Sequence, residues 1–113
     1  MLNSPAHSTH RGLLESRWHG FSLAMQMGNI GSEVNRLMQW KGKDAIRASA
    51  SLGRALELID LTISDPRWKH RVGEFLRLRE VVADAAQDAP SFSVSTDMFK
   101  NYFLHFSTRS LSS

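Results

Sequence analysis

The stretch from Arg54 to Val82, RALELIDLTISDPRWKHRVGEFLRLREVV, decides the fold class. Its two halves are apolar at three- and four-residue steps, the spacing that lines one face of an α-helix, and Asp65-Pro66 divides them. Aspartate accepts hydrogen bonds from the free N–H groups at a helix start. Proline suits the first helical position, where its missing N–H would have no partner. One helix therefore ends near Ser64 and the next runs from Pro66 to about Ala86. With almost no loop between them, the two pack antiparallel.

Working upstream, Asp44 caps the helix over 44–64, whose main apolar face holds Ala45, Ala48, Leu52, Ala55, Leu56, Ile59 and Ile63. Leu58 and Leu61 project from the opposite side, which implies burial on a second side, in a bundle centre or a subunit interface. Over 21–41 the residues Leu23, Met27, Ile30, Val34, Leu37 and Met38 form one helical stripe, closed by Gly42 as a C′ glycine. An alternative starts this helix at Ser32 as N-cap. Ala24, Gly28, Gly31, Ser32 and Asn35 form a second stripe of small residues. Glycine inside a helix costs roughly 1 kcal/mol relative to alanine, so these suggest a close neighbouring backbone.

Downstream, 87–94 with Pro90 reads as a loop, and Ser95 or Thr96 caps a last helix carrying Phe99, Tyr102, Phe103 and Phe106 on one face. Residues 1–20, rich in Ser, His and Gly, read as a mobile extension in which Trp18 is a candidate for docking. The expected architecture is all-α: an up-and-down bundle of four main helices over 21–113, with room for an extra N-terminal helical turn.

A chain of 113 residues makes one domain with one modest core. Its net charge of +3 is spread along the sequence: +3 over 1–43 (five positive, two negative), −1 over 44–88 (seven, eight) and +1 over 89–113 (two, one). No segment is a basic tract, so nucleic acid is not the expected partner. The absence of cysteine excludes disulfides and thiolate chemistry and fits a reducing cytoplasm. There is no signal-peptide pattern, and no apolar window approaches the ~20 residues that span a bilayer. The expectation is a cytoplasmic protein without membrane contact.

Arg79 is the residue that fits least. On a 100° wheel it falls among Trp68, Val72, Phe75, Leu76, Val82 and Ala83, where a guanidinium needs an acceptor. Asp60 and Glu57 on the preceding helix are the candidates. Counting 1.5 Å per residue from the Asp65-Pro66 turn places Asp60 roughly 12 Å from the level of Arg79 and Glu57 about 8 Å. That count argues against Asp60 within one hairpin and leaves Glu57, Asp60 across a second subunit, or helix-end carbonyls. Arg77 lies nearby as a further cation. Glu33 and Arg36, three apart, form with Trp40 a polar and aromatic patch, read as a surface ion pair or as a partner-binding patch. His70 with Glu74 is the only helical His–carboxylate pair, too few groups for a metal, and neither a nucleophile elbow nor a phosphate-binding glycine loop is present. No metal or cofactor is expected.

The segments Gly31-Ser32-Glu33-Val34, Arg54 through Ile63, Asp65-Pro66-Arg67 and Leu78-Arg79-Glu80-Val81, with Arg36, Trp40 and Lys41, resemble a family of small bacterial helical-bundle proteins, over about residues 27–106. That resemblance implies the fold and assigns no activity. A more distant similarity is to HEPN domains, which implies dimerisation and an RNA- or nucleotide-related role. Ribonuclease members carry Arg, four to six residues, then His, and no arginine here has a histidine at that spacing. The expected function is a non-enzymatic helical interaction module, homodimeric through Trp40, Leu58, Leu61 and Tyr102, with Arg79 in a structural ion network. The alternative is a HEPN-like nucleotide- or RNA-binding protein using Arg79 and Arg77.

Overall fold

Ser22 opens the first long helix: its Oγ accepts the Met25 N–H at 3.1 Å. The computed structural model describes residues 12–112, with side chains for 12–107. Five α-helices and no strand occur among them: α1 over 12–19, α2 Leu23–Trp40, α3 Ala45–Ile63, α4 Val72–Ala85 and α5 Thr96–Ser112. A 3-10 segment, Pro66–Arg71, joins α3 to α4. The helix α2 is therefore the long one. Ser32 lies inside it and donates its hydroxyl back to the Gly28 carbonyl at 3.1 Å instead of capping. At its end Lys41 N–H bonds the Leu37 carbonyl, and Gly42 turns the chain at φ +80°, a conformation that favours glycine. Asp44 Oδ1 accepts from Arg47 N–H at 3.0 Å, so that cap forms as expected, and of Ser95 and Thr96 it is Ser95 whose Oγ accepts, from Met98 N–H at 3.2 Å.

The helix α2 packs against α3 on one side and α5 on the other, while α3 also packs against α4. Met27, Ile30, Val34 and Leu37 meet Ala55 and Ile59, Phe75 and Val82, and the aromatic face Phe99, Phe103 and Phe106 in one core. Gly31 explains part of the small-residue stripe: a Cβ there would meet Phe103 Cγ at 2.8 Å. Gly28, one turn earlier, faces open space.

Three expectations change. First, residues 12–19 of the presumed extension are helical, and Trp18 is a core residue whose Nε1 donates to Thr62 Oγ1 at 2.9 Å. Residues 1–11 lie outside the described residues. Second, the helix predicted from Pro66 starts at Val72, because Trp68 leaves helical geometry at φ −111°, ψ 20°. Third, the buried face of α4 is Phe75, Leu78, Val82 and Ala85, and Leu76 is exposed. Including Val72, Leu76 and Ala83 and leaving out Leu78 and Ala85 turned the inferred face roughly 80° toward Arg79.

Candidate functional site

Arg79 stands at the edge of α4's buried face and bonds Asp60 directly, Nε to Oδ1 at 2.8 Å and a terminal nitrogen to Oδ2 at 3.4 Å. The pairing within one hairpin that the residue count excluded is therefore present. Pro66–Arg71 forms the connection and contributes no rise along α4. Counted from the true helix ends, Arg79 is seven residues beyond Val72 and Asp60 three before Ile63. The difference is roughly 6 Å at 1.5 Å per residue, within reach of an arginine. Glu57 is exposed and makes no ion pair among the described residues. The Arg79 and Asp60 side chains are 41% and 43% exposed, so water screens the pair. Arg79→Met is expected to shift stability by no more than about 1 kcal/mol, read from the urea midpoint. A loss of several kcal/mol would show that the pair is desolvated.

The buried polar cluster lies instead where α1, α2 and the 3-10 segment meet. Gln26, fully buried on α2, donates to the Trp18 carbonyl at 2.8 Å and to Asp65 Oδ2 at 3.2 Å, and accepts from Trp68 Nε1 at 2.9 Å. Asp65, 1% exposed, also accepts the Arg67 backbone N–H at 3.0 Å and the Arg67 guanidinium at 2.7 Å. That guanidinium donates onward to the Phe21 carbonyl at 2.8 Å. Burial alone raises the Asp65 pKa, but the bonds from Arg67 and Gln26 outweigh it and hold the group at about 2. Each Gln26 donor and acceptor has a partner, as does every buried side-chain nitrogen and oxygen among the described residues. The cluster is a lock between elements, closed to a ligand.

Arg77, Glu74 and Tyr102 surround a groove of about 220 Å³ between α4 and α5, with Leu78, Val81 and Phe99 completing an almost wholly apolar lining. Arg77 pairs with Glu80 at 3.2 Å and lies over the Phe92 ring. Glu74 turns to Arg71, at 2.8 Å, and to the Tyr102 hydroxyl, which donates to it at 2.7 Å. Burial and the adjacent Glu74 carboxylate both push the Tyr102 phenol above its ordinary range. Tyr102 is the only tyrosine in the chain, so phenolate absorbance reports it alone. Its titration is expected well above the usual pH of about 10. Because the folded pKa is the higher one, stability is complete below pH ~10 and declines as pH rises beyond it. A midpoint near 10 would place the hydroxyl in water.

On the other side of the molecule Glu33, largely buried on α2, accepts from Arg36 at 2.9 Å and from Arg54 on α3 at 2.7 Å. Burial raises the Glu33 pKa, and the bonds from Arg54 and then Arg36 overcome this and lower it. Trp40 lies in the same α2–α3 seam with the Arg47 guanidinium 4.6 Å from its ring centroid. Sequence spacing linked Glu33, Arg36 and Trp40 but not Arg54, which is 21 residues from Glu33 and meets it only through helix packing.

The remaining candidates separate. Leu61 is buried within the single chain and Leu58 is half-buried, while α1 covers this level of α3 through the Trp18–Thr62 bond and His19, whose Nε2 is 3.1 Å from the Leu61 carbonyl. The two faces bearing Trp40 and Tyr102 are distinct. Among the described residues no three His, Asp or Glu side chains are grouped to hold a metal, and no helix is long and apolar enough to cross a membrane. Comparison of the chain with protein-family models, curated proteins and solved structures finds no match.

Proposed function

We propose that this chain is a cytoplasmic, non-enzymatic helical interaction module that works as a homodimer, with the Arg79–Asp60 pair serving structure. The observation that supports it is the apolar groove between α4 and α5, with Leu78, Val81 and Phe99 in its lining and Tyr102 at its wall. A twofold contact presents the same patch from both copies. Met98, exposed one turn before Tyr102 on α5, supplies the adaptable thioether that such surfaces favour. In this reading the helices form an up-and-down bundle, consistent with α2 beside α3 and α5, and α3 beside α4. Leu61, enclosed by its own chain, takes no part in the interface.

Sedimentation velocity across the micromolar range tests the dimer. The wild type is expected to sediment as a dimer and Val81→Glu, at a half-buried wall position, as a folded monomer. A wild type that stays monomeric throughout overturns the reading. The alternative is a HEPN-like nucleotide or RNA ligand on Arg77 and Arg79. It requires the ligand to displace Glu80 and Asp60, which those arginines already hold.

A further inference from the structure

The seam between α2 and α3 carries two arginines, Arg36 and Arg54, on one buried carboxylate, Glu33, and a third, Arg47, paired with Asp44 at 3.5 Å. Arg36 reaches Glu33 through a terminal nitrogen and Arg54 through its Nε, so each guanidinium keeps its other N–H donors. Both side chains are more than half exposed, 54% for Arg36 and 53% for Arg54. One carboxylate between two guanidiniums leaves one positive charge uncompensated. The buried Glu33 also holds two long side chains in place before any ligand arrives, which reduces the entropy lost on binding. Arg47 stands seven residues before Arg54 on the same stripe of α3, over Trp40, which is one turn from Arg36 on α2.

The last two residues of α1, Trp18 and His19, already lie across the two helices further along. Gln26 and Leu61, which contact Trp18 and His19 of α1, lie seven residues, or two turns, from Glu33 and Arg54 along the same two stripes. Beyond α1 the seam is the exposed stretch with the arginines.

We infer that this stretch docks an acidic helical segment of a partner protein, its carboxylates on Arg36 and Arg54, whose two charges Glu33 only half neutralises. Arginine forks match carboxylates, and arginine is among the residues enriched at interface hot spots. Residues 1–11 contain no Asp or Glu, so the chain's own N-terminal residues lack the complementary charge. A nucleic-acid strand is disfavoured because Trp40 is half-buried and Arg47 covers one face of its ring, removing the open stacking platform such strands use.

The test is fluorescence anisotropy of the full chain with a labelled helical peptide bearing glutamates at four-residue spacing, and with the same peptide carrying glutamines. Saturable binding of the glutamate peptide alone is expected, weakening with salt and by about tenfold in Arg36→Gln or Arg54→Gln. Each variant leaves the other arginine on Glu33, and circular dichroism checks the fold. No saturable binding, equal affinity for the glutamine peptide, affinity unchanged in both variants, or tighter binding of a single-stranded oligonucleotide each overturns the inference. The seam is separate from the α4–α5 groove, so a monomeric chain leaves this outcome unaffected.

Discussion

Asp65→Ala is expected to cost about 2–3 kcal/mol, the upper range for leaving a buried hydrogen-bonding group without its partner, while Arg67, 42% exposed, is left to water. Domains of this size have roughly 5–15 kcal/mol in all, so the urea midpoint should fall steeply. The loss is large because one carboxylate does several things at once: it starts the 3-10 segment, neutralises Arg67 and accepts from buried Gln26. Without it Gln26 loses an acceptor, and Arg67 keeps the Phe21 carbonyl and its place over the Trp68 ring. A loss below about 1 kcal/mol would show that the site rehydrates freely.

The same group sets part of the acid limit. Its folded pKa, at about 2, lies below the unfolded value of 3.8. Its contribution is therefore present above pH ~4 and is lost as pH falls through 2. A difference of nearly two pKa units corresponds to about 2 kcal/mol. Asp65→Asn keeps the shape but cannot titrate. Its stability should fall less steeply between pH 4 and 2 than that of the wild type, with Glu33 and Asp84, both also lowered, supplying the remaining slope. Identical acid limbs for the two proteins would remove Asp65 from the explanation.

The second large effect is expected at Gly31. Any Cβ there lies 2.8 Å from Phe103 Cγ and 3.0 Å from Phe103 Cβ, atoms next to the α5 backbone that cannot swing aside. Gly31→Leu therefore forces α2 from α5 and should lower stability by about 3 kcal/mol or more, at the severe end of overpacking. For Gly31→Ala the helix-propensity gain of about 1 kcal/mol offsets part of the clash. Gly28→Ala, with nothing within 4 Å of its Cβ, should raise stability by about 0.5–1 kcal/mol. Opposite signs one turn apart separate packing from propensity. An unchanged melting temperature for Gly31→Leu would mean that α2 and α5 are not in this close contact.

Residues spaced along one helix were legible from sequence; residues joined across the fold were not. Glu33, Arg36 and Trp40 share one side of α2 at helical spacing, whereas Arg54 joins them only because α2 and α3 pack at that level. Gln26 sits on the apolar stripe of α2 and gives no sign of its partners, which come from 8, 39 and 42 residues away. For Arg79 the acceptor Asp60 was among the candidates, but an assumed continuous helix from Pro66 misplaced its level and argued against the pair that forms. The break at Trp68 reflects a hydrogen bond to Gln26, a contact that no local pattern encodes.

By itself the sequence determined the all-helical class, the cap Asp44, a cap at Ser95 or Thr96, the Gly42 stop and the core stripe of α2. These depend on periodicity and on bonds within a few residues, which local chemistry controls. The tertiary structure decided that Trp18 belongs to the core, that Asp65 and Glu33 rather than Arg79 are the buried charges, and that three arginines share one seam. Burial and pairing depend on which surfaces meet, and that is settled only when helices distant in sequence pack together.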